Sequence, residues 1–334
     1  MEDAIDFVVL WVDDSDEQWK KEFEEYKHEA TMRDNESIGS VRYEEHGMLP
    51  YWFRGIEKFT PWVRKVHFVT NGQFPKWLNL DHPKLHFVKH ADFIERKYLP
   101  LFNANPIENN IYKIEGLAER FVYFNDDMYV IAPTPPSFFF KEGLPCDSAI
   151  MTKTRRDRDS SYLSCIANDV ELINRYFNKN ATLLKNPTKW LNLRQYGFRP
   201  FIHPWWLIPS SKFPGFKNHH SAQPFLKSTF DKVWQVCEKE LSEANTRRFR
   251  SLEDLDQCLF KYWQFASGNF SPAPLRKNRA YFDIKSDTPA ILDCIKRQSS
   301  KLICINDANG ADEDYLQVKD AFNVILSEKS LYEL

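Results

Sequence analysis

Arg120-Phe121-Val122-Tyr123-Phe124-Asn125-Asp126-Asp127-Met128 is the stretch on which the fold turns. A run of aromatic and β-branched residues ends abruptly in an amide and two adjacent carboxylates. The apolar part is short and rich in strand formers, so it reads as a buried strand rather than a helix. Adjacent carboxylates at a strand's end repel one another and are costly to desolvate. They become sensible if a divalent cation sits between them and a phosphate-bearing ligand. Ligands of open α/β sheets bind beyond the carboxyl ends of the strands. The alternative reading is a surface turn rich in Asn and Asp.

Working outward, Ile5 to Val12 reads as a buried first strand closed by the acidic loop Asp13-Asp14-Ser15-Asp16, and Glu17 to His28 is helical in character. Met48 to Phe59 has apolar residues at helical spacing and stops at Thr60-Pro61. Lys65 to Thr70 is a second strand running into Asn71-Gly72-Gln73, Leu85 to Val88 is a third, and Pro106 to Leu117 reads as a helix. This alternation predicts a Rossmann-like α/β fold: a mainly parallel sheet with helices on both faces, and a helical, loop-rich insertion. The loops at 13–16, 71–73 and 125–127 would then share one edge. No GxGxxG fingerprint and no Walker loop is present, so phosphates bound there must be held by a cation and side chains.

Beyond residue 140 the pattern changes. Pro133, Pro135 and Pro136 punctuate the chain, 169–178 looks helical, and 185–217 is loop-like and rich in Trp, Pro and basic residues. That segment suits an acceptor-facing lid, with Arg199, Trp205 and Trp206 able to stack on or hydrogen-bond to a sugar chain. Phe225 to Glu243 and Leu252 to Phe265 read as helices, the second with Ser251 as its N-cap. Lys301 to Ile305 is a last strand ending in Asn306-Asp307 that could return to the same sheet. His219-His220 and Arg247-Arg248-Phe249-Arg250 offer a proton acceptor and a phosphate clamp, against readings as a loop histidine and solvated arginines.

The bulk numbers exclude little. A chain of 334 residues with 43% hydrophobic and 28% charged residues is ordinary for a globular protein. A net charge of −2 gives no argument for nucleic acid or a membrane surface as the main partner, and no nucleic-acid partner is expected. Ten Trp, 14 Tyr and 27 Phe beside ten Gly fit a carbohydrate enzyme, and a large core equally well. The six cysteines show no zinc-like spacing. Neither a signal peptide nor a span of ~20 apolar residues is evident, so a reduced, cytoplasmic protein is expected, with peripheral attachment to a membrane assembly left open.

The residues resemble the Stealth family of sugar-1-phosphate transferases, which includes bacterial capsular polysaccharide phosphotransferases and the catalytic part of animal N-acetylglucosamine-1-phosphotransferase. Four blocks carry the resemblance: IDFVVLWVDDSDEQW at 5–19, YWFRGIEKFTPWVRKVHFVTNGQFPKWL at 51–78 with RFVYFNDDMYV to 130, HHSAQPFLKSTFDKVW at 219–234 with RRFRSLEDL at 247–255, and KLICINDANG at 301–310. The chain departs from the family's pattern at Asp14, where glycine is common, and at Glu45, where Asp is usual. The resemblance implies transfer of a sugar 1-phosphate from a UDP-sugar, such as UDP-N-acetylglucosamine, to an acceptor glycan or lipid-linked oligosaccharide, with UMP leaving and Mg2+ (or Mn2+) as cofactor. It gives catalytic roles to Asp127, His220 and Arg250, metal binding to Asp126 and Asp127, and donor binding to Asp6, Trp11, Asp14, Asn71, Gly72, Gln73 and Asn125. The implied division is a nucleotide-sugar-binding part at 1–140, a variable acceptor-facing insertion at 141–217, and a part at 218–334 that completes the core. Two rivals stand beside it: a metal-dependent glycosyltransferase, which would release UDP, and a non-catalytic carbohydrate-binding protein.

Overall fold

A computed structural model describes residues 4–30, 46–198, 201, 210–307 and 310–334. Its central sheet has five strands: β1 (Ile5–Leu10), β2 (Val66–Thr70), β3 (Leu85–Lys89), β4 (Arg120–Phe124) and β8 (Gln223–Leu226), in the order β3-β2-β1-β4-β8. The first four are mutually parallel and β8 is antiparallel to β4. The α/β class with helices on both faces is thus observed.

The sheet is buried on both sides because its strands are apolar at successive positions, not alternate ones. Phe7, Val9, Val122 and Phe124 point into one core with the helices Leu49–Phe59, Thr288–Arg297 and Asp312–Ile325. Val8, Val69, Phe121 and Tyr123 point into the other, with the helices Ser161–Tyr176, Lys227–Ala244 and Cys258–Ser267. Helix Leu49–Phe59 lies unusually close to its neighbour: a Cβ built on Gly55 would stand 2.4 Å from the Val130 carbonyl oxygen.

After Phe124 the chain turns, with the Met128 N–H donating to the Asn125 carbonyl, and enters a second sheet. Here β5 (Met128–Val130) pairs antiparallel with β11 (Leu302–Asn306), which pairs in parallel with β10 (Arg279–Asp283). A third small sheet joins β6 (Phe140–Lys141), β7 (Leu144–Asp147) and β9 (Ser271–Pro272).

Several expectations need correcting. The last strand does not return to the central sheet; β11 stands beside β5, the continuation of the acidic turn. Phe225 and Leu226, read as the start of a helix, belong instead to the edge strand Gln223–Leu226, where Pro224 is tolerated because its missing N–H faces away from the ladder. The helix expected from Leu252 begins at Cys258. The turn before it does carry cap-like bonds, Ser251 N–H to Asp254 Oδ2 and Glu253 N–H to Ser251 Oγ. Asp254 is drawn instead into a buried network with Asn103 and Asn105. The helix read from Pro106 to Leu117 spans Ala104–Asn110 and closes in a 3-10 turn.

Candidate active site

The four parallel strands end on one edge, and the loops at 11–16, 71–73 and 125–127 gather there as their topology requires. The first two are tied together: the Asp13 N–H donates to Gln73 Oε1, Thr70 Oγ1 donates to the Gln73 carbonyl, and the Gly72 N–H donates to Thr70 Oγ1. Gly72 has φ +127°, which only glycine adopts without strain. Because β8 is antiparallel, its beginning lies on this same edge, with Gln223 opposite Tyr123. His219 and His220 are thereby delivered to the end of β4.

A cavity of about 1310 Å³ opens at this edge, lined among others by Trp11, Asn71, Asn125, Asp126, Asp127, His220 and Arg250. His220 Nε2 lies 3.2 Å from Asp127 Oδ2, and the Cys304 thiol donates to the same oxygen at 3.2 Å. Asp127 Oδ1 is buried and has no hydrogen-bond partner among the described residues. Asp127, His220 and Cys304 present polar atoms within 4.8 Å of one another, and a hard cation held on the carboxylate side of this group, by the acidic turn, would satisfy the orphaned oxygen. Among the described residues Arg250 makes no ion pair, whereas Arg247 and Arg248 are engaged with Glu243 and Glu29. The Trp11 indole N–H is likewise buried without a partner among the described residues.

The two histidines are shifted in opposite directions. Burial disfavours the imidazolium of His220, but the Asp127 carboxylate more than offsets this and holds it above its ordinary pKa. Burial, reinforced by Arg276 and Arg279, depresses His219 to about 4, so it is neutral.

Asp6 is not brought to this cavity. It sits at the opposite end of β1, fully buried, where Arg64, His67 and the Ala118 N–H converge on its carboxylate. Burial would raise its pKa, and the bonds to His67 and Arg64 lower it overall. Asp14, Gly72 and Gln73 lie in the edge loops but do not line the cavity wall. Arg199, Trp205, Trp206 and Glu45 lie outside the described residues.

Two residues were missed, Glu108 in the cavity wall and Cys304 behind Asp127. Glu108 is buried, accepts from Tyr123 Oη at 2.7 Å, and is raised to about 7 by burial and by the charge of Asp256. Its only sequence signal is a carboxylate inside the Asn-rich helix ANPIENN. Cys304 gave no signal, because its importance depends on β11 pairing with β5, with Cys304 opposite Met128.

Among the described residues no helix is long and apolar enough to cross a membrane. The family model for Stealth protein CR2, conserved region 2, matches residues 42–146. Over 99% of its length the chain is 38% identical to a capsular polysaccharide phosphotransferase, WcwK, of Streptococcus pneumoniae, covering 98% of that protein. It is 37% identical to the receptor polysaccharide phosphotransferase WefC of Streptococcus oralis, with 99% of each chain covered. The exopolysaccharide phosphotransferase cps2G of Lactiplantibacillus plantarum is also 37% identical, over 98% of this chain and 96% of the relative. The chain belongs to the Stealth family and is an enzyme of the transferase class.

Proposed function

We propose that the protein transfers a sugar 1-phosphate from a UDP-sugar to a hydroxyl of an acceptor glycan or lipid-linked oligosaccharide, in the synthesis of a capsular or other cell-surface polysaccharide. The observation that carries this reading is the meeting of His220 and Asp127 at 3.2 Å in a cavity that also holds Arg250, which forms no ion pair among the described residues. The acceptor oxygen forms a bond to the phosphorus next to the donor sugar, the bridging P–O bond breaks, and UMP leaves with the bridging oxygen.

Phosphoryl transfer asks of the protein charge neutralisation, alignment and a positioned base. Asp126 and Asp127 would hold a magnesium or manganese ion, which supplies charge neutralisation on the diphosphate when bound. Arg250 meets the charge of the transferred phosphoryl group through its planar fork of donors. His220 accepts the proton of the attacking hydroxyl. Anything that neutralises Asp127 relaxes the hold on the imidazolium and frees Nε2 for that role. Trp11, Asn71 and Asn125, on the same edge, face the nucleotide end of the donor.

The test uses a UDP-sugar labelled with ³²P at the phosphate attached to the sugar. The label should pass to the product while UMP is released, and activity should vanish in EDTA and return with magnesium or manganese. Released UDP with an unlabelled product would overturn phosphotransfer in favour of glycosyl transfer, and full activity in EDTA would remove the cation from the scheme.

A further inference from the structure

Beyond the cavity wall at Asp256 lies a second cluster that the proposed reaction does not use. Cys165 and Asp169 stand four residues apart on the helix Ser161–Tyr176 and so share one face of it. Asp256 approaches from the loop before the helix Cys258–Ser267. The Cys165 sulfur and one oxygen from each carboxylate lie within 4.8 Å of one another, and all three residues are buried. Asp169 is 0% exposed, and among the described residues the one group its carboxyl meets is Asp256, a second acid, with no donor from elsewhere satisfying either oxygen. No Lys or Arg among the described residues forms an ion pair with Asp169, Asp256 or the neighbouring buried Glu108.

Buried carboxylates without a counter-charge are strongly unfavourable, and the cost grows when two approach each other. Burial, then the charge of Asp256, pushes the Asp169 carboxyl well above the usual carboxylate range. Without a cation the pair must share a proton to stay buried; a cation held between the two acids replaces that proton, and the sulfur beside them indicates which kind. Magnesium prefers six oxygens and retains water, whereas a thiolate with carboxylates suits zinc, with ligand atoms at about 2.0–2.3 Å. Cys258, whose thiol hydrogen-bonds Asp256, stands beside the set as a candidate fourth donor.

We infer that Cys165, Asp169 and Asp256 form a second cation site, of the zinc type, distinct from the Asp126–Asp127 turn. The ion joins the helix Ser161–Tyr176 to the loop that follows Arg250, and its binding displaces the thiol proton and any proton shared by the carboxyls. Its place is structural: it fixes the approach of the segment that carries Arg250.

The experiment uses the full chain bearing Asp127→Asn, which disables the first cluster. The protein is incubated with zinc sulfate in excess magnesium, desalted, and its zinc counted by plasma mass spectrometry. One retained zinc per chain is expected, with X-ray absorption showing mixed sulfur and oxygen ligation. Adding Asp169→Asn, which removes a buried charge and keeps the shape, should drop zinc to background. No retained zinc in the parent variant, or equal zinc with and without Asp169→Asn, would overturn the site. If the double variant fails to fold, Asp127→Asn with Cys165→Ser decides: weakened retention with one sulfur lost from the spectrum supports the site, and an unchanged spectrum and zinc content overturn it.

Discussion

His220 stands 3.2 Å from the Asp127 carboxylate, while His219, one peptide away, is held neutral by burial and two arginines. Only the first is placed to take a proton beside the acidic turn. His220→Ala should therefore cut turnover by roughly 10²–10⁴-fold, and His219→Ala should leave most of it, as measured by UMP release. The reverse pattern would show the pair to be misassigned. A third histidine bears on stability. His90 is buried and its pKa falls from 6.5 to about 4. The group is neutral in both states above pH 6.5; below that the unfolded chain takes up a proton that the folded chain resists. Stability tied to His90 is thus complete above its unfolded pKa and is lost as pH falls from 6.5 towards 4, by about 3 kcal/mol in full. Denaturant unfolding across that window should show the loss, and His90→Gln should reduce the slope by one proton. That Asp126, Asp127, His220 and Arg250 would line one cavity was legible in the sequence because their residue types and blocks are distinctive. Glu108 was not, since its high pKa comes from burial and from Asp256, far along the chain.

The strands of the central sheet were legible because residues apolar at successive positions leave a parallel strand few other places to go. The edge strand Gln223–Leu226 was not, since four residues with a proline carry almost no periodic signal. Neither was the delayed start of the helix Cys258–Ser267, because the pull of Asn103 and Asn105 on Asp254 is a tertiary effect. One contact between elements can be tested directly. Gly55 lets the helix Leu49–Phe59 lie on the β5 main chain, with its absent Cβ only 2.4 Å from the Val130 oxygen. A methyl group there must push helix and strand apart. Gly55→Ala, although it favours helix intrinsically, should lower unfolding free energy by about 1–3 kcal/mol, and urea denaturation would show it. Equal or greater stability would mean that β5 yields without cost.

The two cores and the tail that seals one of them belong to the molecule as a unit. Arg54 donates both Nε and a terminal nitrogen to Glu333, at 2.8 and 2.7 Å, and Tyr332 packs against Phe53. Glu333 is 5% exposed in its side chain and Arg54 14%, so removing one partner strands a charge. Glu333→Ala should cost about 3 kcal/mol in thermal or denaturant unfolding, with little change in the affinity for donor, because the pair lies outside the cavity lining. A loss under about 0.5 kcal/mol would place the pair with ordinary surface bridges. The reversed direction of β8 has a further consequence in the order of synthesis. The acidic turn leaves the ribosome early, but what faces it comes later: His220 ahead of β8, Arg250 after the long helix, and Cys304 on β11. A nascent chain holds the whole central parallel sheet long before it holds a catalytic centre. On the proposed function, such a chain stays inert until Arg250 has emerged and β11 has closed against the acidic turn.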